Sequence, residues 1–422
     1  MAQHNESASI LAPLLLLVAA LVGFILANSP LASLWDGLLQ TDLEVNVGGV
    51  SLLDKPFLLL INDGLMAIFF LFVGLELKRE IVAGGLSDIR QAILPVASAI
   101  GGMVVPAAIY LALNGSDTTA MKGWAVPMAT DIAFALGILA ILGSRVPAAL
   151  KVILAAVAIV DDLGAILVIA LFYTSSIDAT SLFLALSIFA VCIAANALGM
   201  MKISFYLIMG IPFWYFTLKS GIHATIAGVL LAMVIPLAPA TSKARQLVEA
   251  VMSNEAPLHT SPAIWLERAL IGWVGSFIIP VFALSNAGVG LGEASVGTVA
   301  WGIILGLVVG KPLGIFGAAK FVEKMGWAKL PEGVSWGHIL AIGFLGGVGF
   351  TMSLFISSLG FAAGAMNSEA RLAILMASIF AAFAGVITIL VTSRGTRGVT
   401  DIETAASVEK RAGKPELSLP SS

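Results

Sequence analysis

An apolar run from Ala148 to Tyr173, long enough to cross a bilayer as one helix, carries two adjacent aspartates, Asp161 and Asp162, at its middle. Inserting one carboxylate at that depth costs roughly 2.5 to 3.5 kcal/mol on insertion scales, and ionisable groups held there mark ion or proton paths. A soluble protein with a buried acidic pair does not account for the run, because apolar stretches of similar length recur down the whole chain. They fall near 10–27, 57–75, 92–113, 124–142, 148–173, 180–198, 203–218, 222–237, 270–287, 296–318, 339–359 and 372–391. With 59% hydrophobic and 11% charged residues, the chain lacks the polar surface of a soluble globule. The expected fold class is therefore an all-α polytopic membrane protein of twelve transmembrane helices, forming a single domain over 1–393 with a polar tail over 394–422. The seventh and eighth stretches are the weakest, being short and separated only by Lys219 to Gly221.

Basic residues set the expected orientation. With the N-terminus inside, only Lys55, Lys122, Lys219 and Arg371 of the 22 Lys and Arg fall in outer loops, Lys311 falls within a span, and the remainder lie inside. Both termini are expected in the cytoplasm, in a multi-pass protein of the plasma (inner) membrane. The segment before the first stretch, MAQHNESASI, has no Lys or Arg and so lacks the basic start of a cleaved signal, and the first helix is expected to be retained. Cys192, the single cysteine, lies in an apolar run; it excludes a disulfide framework and a cysteine metal site. No feature points to ATP use or nucleic-acid binding.

Between the first two stretches, residues 43–52 alternate apolar and polar on either side of Gly48-Gly49, the signature of a two-residue β-hairpin turn. An isolated hairpin is marginal in water. A simple exposed loop and an edge that pairs with a second copy of the chain are equally compatible with that pattern.

Polar residues inside the spans carry the chemistry: Asp161 and Asp162, Thr130 and Asp131 in the fourth span, Lys311 in the tenth and Asp63 in the second. Consecutive helical residues point about 100° apart. Asp161 and Asp162 therefore face different partners, one toward Lys311 and the other toward Asp131. A buried lysine without a counter-charge loses its proton, so one aspartate pairs with Lys311 and the other is left for a cation. The fourth span contains Pro127-Met128-Ala129-Thr130-Asp131, and the eleventh contains the glycine-rich run 346–353. Interrupted apolar segments at matching places in two halves point to a transport site, with spans 3–5 and 10–12 as the matching triplets. Close helix packing also uses such glycines.

The stretches INDGLMAIFFLFVGLELKRE (61–80), VPMATDIAFALGIL (126–139), AIVDDLGAI (158–166), SGIHATIAGV (220–229), FALSNAGV (282–289), GKPLGI (310–315) and GFLGGVGFTMSLFI (343–356) closely resemble the NhaA family of bacterial sodium/proton antiporters. The rule on interrupted segments was drawn in part from this family, so the resemblance and the breaks are not independent signs. The resemblance implies two crossing, interrupted helices at the ion site, and a homodimer whose contacts include the small periplasmic β-hairpin. It implies that Asp131 and Asp162 bind the transported Na+ or Li+ and exchange protons, with Thr130 beside the crossing and Asp161 paired with Lys311. It gives Asp63 a structural or access role. Glu76, Arg79 and Glu80 match a charged cluster at the cytoplasmic mouth associated with pH response, His223 matches a histidine linked to that response, and Glu267, before the ninth span, is also retained among the pH-response positions. Where family members commonly have histidines this chain has Arg268 and Ile271, with His259 in the preceding loop as the available imidazole, so the resemblance does not carry the family's usual pH dependence over to this chain.

The expected function is a pH-dependent, electrogenic sodium (lithium)/proton antiporter, a secondary transporter and not an enzyme, with no cofactor. Hard monovalent cations suit oxygen ligands. If two carboxylates each release a proton as one cation enters, unequal charge crosses in the two directions. At acidic pH the carboxylates stay protonated and exclude the metal ion. An intramembrane aspartyl protease also pairs carboxylates from separate helices, but the chain has no Tyr-Asp or Gly-x-Gly-Asp motif and Lys311 would hold one acid charged. A sodium-coupled symporter of organic solutes needs aromatic and amide groups at mid-depth, where this chain has small and acidic ones.

Overall fold

A computed structural model describes residues 2–47, 50–174, 177–238, 244–253, 260–290, 296–361 and 364–412. The order is α1 (Ala2–Ala27), α2 (Ala32–Leu39), β1 (Asp42–Val47), β2 (Val50–Pro56), α3 (Phe57–Ala83) and α4 (Ile89–Asn114). Two 3-10 turns, Ala120–Gly123 and Val126–Met128, lead to α5 (Ile132–Leu142). Then come α6 (Ala148–Phe172), α7 (Ala179–Ala197), α8 (Ile203–Lys219), α9 (Thr225–Val234), α10 (Ala244–Met252), α11 (Pro262–Asn286), α12 (Thr298–Lys324), α13 (Trp336–Gly346), α14 (Phe350–Gly360) and α15 (Ala365–Ala412).

Among the described residues eight helical stretches are long and apolar enough to cross a membrane, and ten if each of two bent pairs counts as one. The bent pairs are Leu11–Ala27 with α2, at 113°, and α13 with α14, at 43°. The shortfall from twelve lies at the two weakest stretches. At 1.5 Å per residue, α8 and α9 reach about 25 and 15 Å, against a hydrocarbon core of about 30 Å. The eighth stretch is shortened at both ends. Gly221 takes a φ of 84° that an L side chain resists, and the helix stops at Val234, just short of Pro236.

The hairpin is longer than the sequence pattern implies. β1 and β2 pair antiparallel from Asp42↔Pro56 to Val47↔Val50, with an irregularity beside Val45 and Asn46. The Gly48-Gly49 turn itself lies outside the described residues, as does His259.

Among the described residues three wide π turns interrupt helices that otherwise look regular: Ile61–Leu65 in α3, Val274–Ile278 in α11 and Gly306–Gly310 in α12. The last two are each followed within two residues by a proline, Pro280 and Pro312. Proline has no N–H for the carbonyl four residues back and its ring crowds that carbonyl; a widened turn absorbs the mismatch. Lys311 thus stands directly after a π turn.

Small residues bring α4 and α12 into backbone contact. A Cβ added at Gly101 would lie 2.3 Å from the carbonyl oxygen of Gly314, and one at Gly314 would lie 2.1 Å from that of Gly101. Lys311 is carried one turn from this contact.

Candidate functional site: two crossed helix breaks

The chain between Val126–Met128 and α5 is extended at Ala129 and Asp131, with ψ of 150° and 97°. Facing it is Gly347-Val348-Gly349, between α13 and α14. The two breaks are joined through the backbone: the Asp131 N–H donates to the Val348 carbonyl at 2.7 Å. The Thr130 hydroxyl lies 2.9 Å from the Gly346 carbonyl and 2.6 Å from Asp161 Oδ2, one proton between two acceptors. Ser353 Oγ donates to the Val126 carbonyl at 2.8 Å, tying α14 to the outgoing end of the first broken helix.

Each break exposes helix ends, and charged side chains meet them with complementary sign. Asp131 caps two N-termini at once. Its Oδ1 accepts the Phe134 N–H of α5 at 2.9 Å, and its Oδ2 accepts the Thr351 N–H of α14 at 3.1 Å and the Thr351 hydroxyl at 2.5 Å. Lys311 donates to the Met128 carbonyl at the opposite, negative kind of helix end, and also to Asp161 Oδ2. A carboxylate at N-termini and an ammonium at a C-terminus are the favourable placements.

All of this is sealed from water. Thr130, Asp131, Asp161, Asp162 and Lys311 are between 0% and 2% exposed. Asp161 and Lys311 form the expected buried ion pair. Asp162 is different: among the described residues neither of its carboxylate oxygens has a hydrogen-bond partner, and Asp161 Oδ1 also has none. Asp131, Asp161 and Lys311 all act electrostatically on Asp162. A buried polar atom left unpaired costs on the order of 1 to 3 kcal/mol, and more when charged. The arrangement leaves an acid that must either hold a proton or meet a cation. Among the described residues no three His, Cys, Asp or Glu side chains gather to hold a metal.

The remaining expected residues divide into two places and one outlier. Arg79 gathers three acids: its Nη1 is 2.5 Å from Glu80 Oε1, its Nε is 2.9 and 3.2 Å from the Glu267 oxygens, and its Nη2 is 3.9 Å from Glu76 Oε1. Beside it, Lys78 Nζ donates to the Met233 and Ile235 carbonyls, each at 2.6 Å, at the C-terminus of α9. His223 is not in this group. It precedes α9, about ten residues or 15 Å along the helix from the carbonyls that Lys78 meets, and its Nε2 is 2.8 Å from the Tyr173 carbonyl. Asp63 sits in the π turn of α3, where its backbone carbonyl accepts the Trp214 indole N–H at 3.1 Å; it does not join the crossing.

Sequence reasoning left three groups unassigned. Thr351 and Ser353 belonged to the glycine-rich run, where hydroxyls beside a break were the available signal. Ser378 in α15 gave no signal, being one serine in an apolar span. The buried amides of Asn62 and Asn286 hydrogen-bond each other reciprocally at 2.8 and 3.3 Å, between two motifs read only for resemblance.

A crossing of two interrupted apolar helices, with buried acids and one lysine, defines a membrane transport protein for cations. The chain belongs to the Na+/H+ antiporter 1 family, whose model matches residues 3–389. It is 48% identical over 389 residues to the Pseudomonas putida protein named Na(+)/H(+) antiporter NhaA 1, covering 91% of this chain and 94% of that one. It is likewise 48% identical over 378 residues to proteins named Na(+)/H(+) antiporter NhaA from Pseudomonas fluorescens and Shewanella oneidensis, with 88% of this chain covered and 91% and 92% of theirs.

Proposed function

We propose that this protein exchanges Na+ or Li+ for H+ across the bacterial inner membrane, extruding the metal ion as protons enter. The observation that carries the reading is Asp162, a fully buried carboxylate with no hydrogen-bond partner among the described residues, one residue from an acid already neutralised by Lys311. Asp131 is the second exchanging carboxylate. Thr130 supplies a hydroxyl at the crossing, and the breaks free backbone carbonyls. A cation entering this site displaces protons from Asp131 and Asp162, and protons returning displace the cation. Two protons against one monovalent cation make the cycle electrogenic, and the same competition shuts it down at acidic pH.

Twelve crossings with both termini in the cytoplasm fit the helices: eight full spans, two bent pairs and the short α8 and α9. The inverted repeats are α4, the broken helix of 120–142 and α6, against α12, the α13–α14 pair and α15. Each triplet reads long helix, broken helix, long helix. Residues 394–422 form a cytoplasmic tail beyond the domain, β1 and β2 hold a homodimer on the periplasmic side, and Asp63 serves access or structure. Glu76, Arg79, Glu80 and Glu267, with His223 acting separately, tune the response to pH.

Everted membrane vesicles with an imposed pH gradient test the reading. Collapse of the gradient on adding Na+ or Li+, at alkaline and not acidic pH, is expected; indifference to both ions would remove it.

A further inference from the structure

The first N–H groups of a helix have no partner within it and must be met from outside. At the start of α14 they go to two different places. The Thr351 N–H reaches Asp131 Oδ2, while the N–H immediately before it, from Phe350, donates to Ser378 Oγ at 3.1 Å. Ser378 stands on α15, 28 residues away in sequence, and is 6% exposed. Alanines bracket it on the same helix, Ala377 and Ala381, both fully buried. They let α15 come close: a Cβ at Gly347 would lie 3.2 Å from the Ala381 Cβ.

We propose that Ser378 is a positioning residue for cation binding, holding the first turn of α14 in the register that presents the Thr351 N–H and hydroxyl to Asp131. This rests on the antiport reading above and adds α15 to the site. Two adjacent N–H groups on one turn share a single rigid orientation. With Phe350 fixed by a neutral acceptor, the next N–H and the Thr351 hydroxyl both fall on one carboxylate oxygen, leaving Oδ1 to α5. Without Ser378 the Phe350 N–H loses its buried acceptor, and the turn either frays or rotates to find another. Either movement spoils the geometry that a Na+ ion meets. A serine serves here because its hydroxyl accepts the Phe350 N–H.

Ser378→Ala should raise the apparent KM for Na+ by roughly threefold to tenfold, the equivalent of one neutral hydrogen bond, while the maximal exchange rate stays near that of the parent. Ser378→Thr keeps the hydroxyl and should restore most of the affinity. Ser378→Cys, close in volume but a weak acceptor, should resemble Ala, and it replaces Ala in the comparison if that variant is poorly produced. Thermal melting in detergent checks that each variant is folded. A folded Ala or Cys variant with the parental KM overturns the proposal, as does a Thr variant no better than Ala. Asp162→Asn is measured alongside: if it still exchanges Na+, the antiport reading itself fails, whereas an inactive Asp162→Asn beside an unaffected Ser378→Ala removes only the role of Ser378.

Discussion

The backbone N–H of Asp131 donates to the carbonyl of Val348 at 2.7 Å, so the interruption of one helix is hydrogen-bonded to the interruption of the other. Neither break is a local defect. Each supplies the backbone partner that the other lacks, and the side chain of Asp131 then closes the N-termini on both sides of the junction.

Asp162→Asn is expected to abolish Na+-driven proton release, because an amide neither attracts the ion by charge nor exchanges a proton. Exchange at the parental rate in everted vesicles would take Asp162 out of the mechanism. Asp131→Asn should fold less stably, having lost charge at two helix N-termini at about 0.3 to 1 kcal/mol each, and should show a strongly raised KM for Na+. A parental KM would make Asp131 a purely structural cap.

Lys311 and Asp161 should behave as a coupled pair in melting experiments. Neutralising either one alone strands a buried charge and is expected to lower stability by about 3 to 5 kcal/mol. Neutralising both should cost less than either single change. Strictly additive losses would show that the two residues are stabilised by other partners.

Glu267→Gln removes the acid that meets Arg79 through Nε, leaving Glu76 and Glu80 around the guanidinium. The expected result is a displacement of the pH–activity profile, on the order of one pH unit, with the saturating rate preserved. A profile superimposable on the parent's would detach this cluster from pH response.

Deleting the hairpin, residues 43–52, should shift the detergent-solubilised protein toward monomer and leave exchange intact. Asp131, Asp162 and both breaks belong to one chain, so no residue is lent across an interface. A folded monomer without exchange would make the dimer the transport unit, and a deletion that remains dimeric would assign the contact to helices.

Much of the crossing was legible in the sequence because acids and a lysine are conspicuous in apolar runs, and because proline and glycine cluster where helices break. Charge balance predicted that one of the two adjacent aspartates pairs with Lys311, and the family resemblance pointed to Asp161. Asp131 was recognised as an acid of the site, but its capping of two helices was not, since α14 begins 219 positions after Asp131 and nothing local records that approach. Ser378 escaped for the same reason. The short α8 and α9 departed from the apolar pattern because hydropathy counts residues through Gly221 and Pro236, whereas backbone geometry stops at them. The Arg79 cluster was found by resemblance; its geometry adds that His223 belongs to another part of the molecule.

The contact between Gly101 and Gly314 leaves α4 and α12 no slack. With carbonyl oxygens where side chains would otherwise interleave, a side chain at either glycine would push the two backbones apart and draw Lys311, one turn along α12, away from Met128 and Asp161, which hold its ammonium between them.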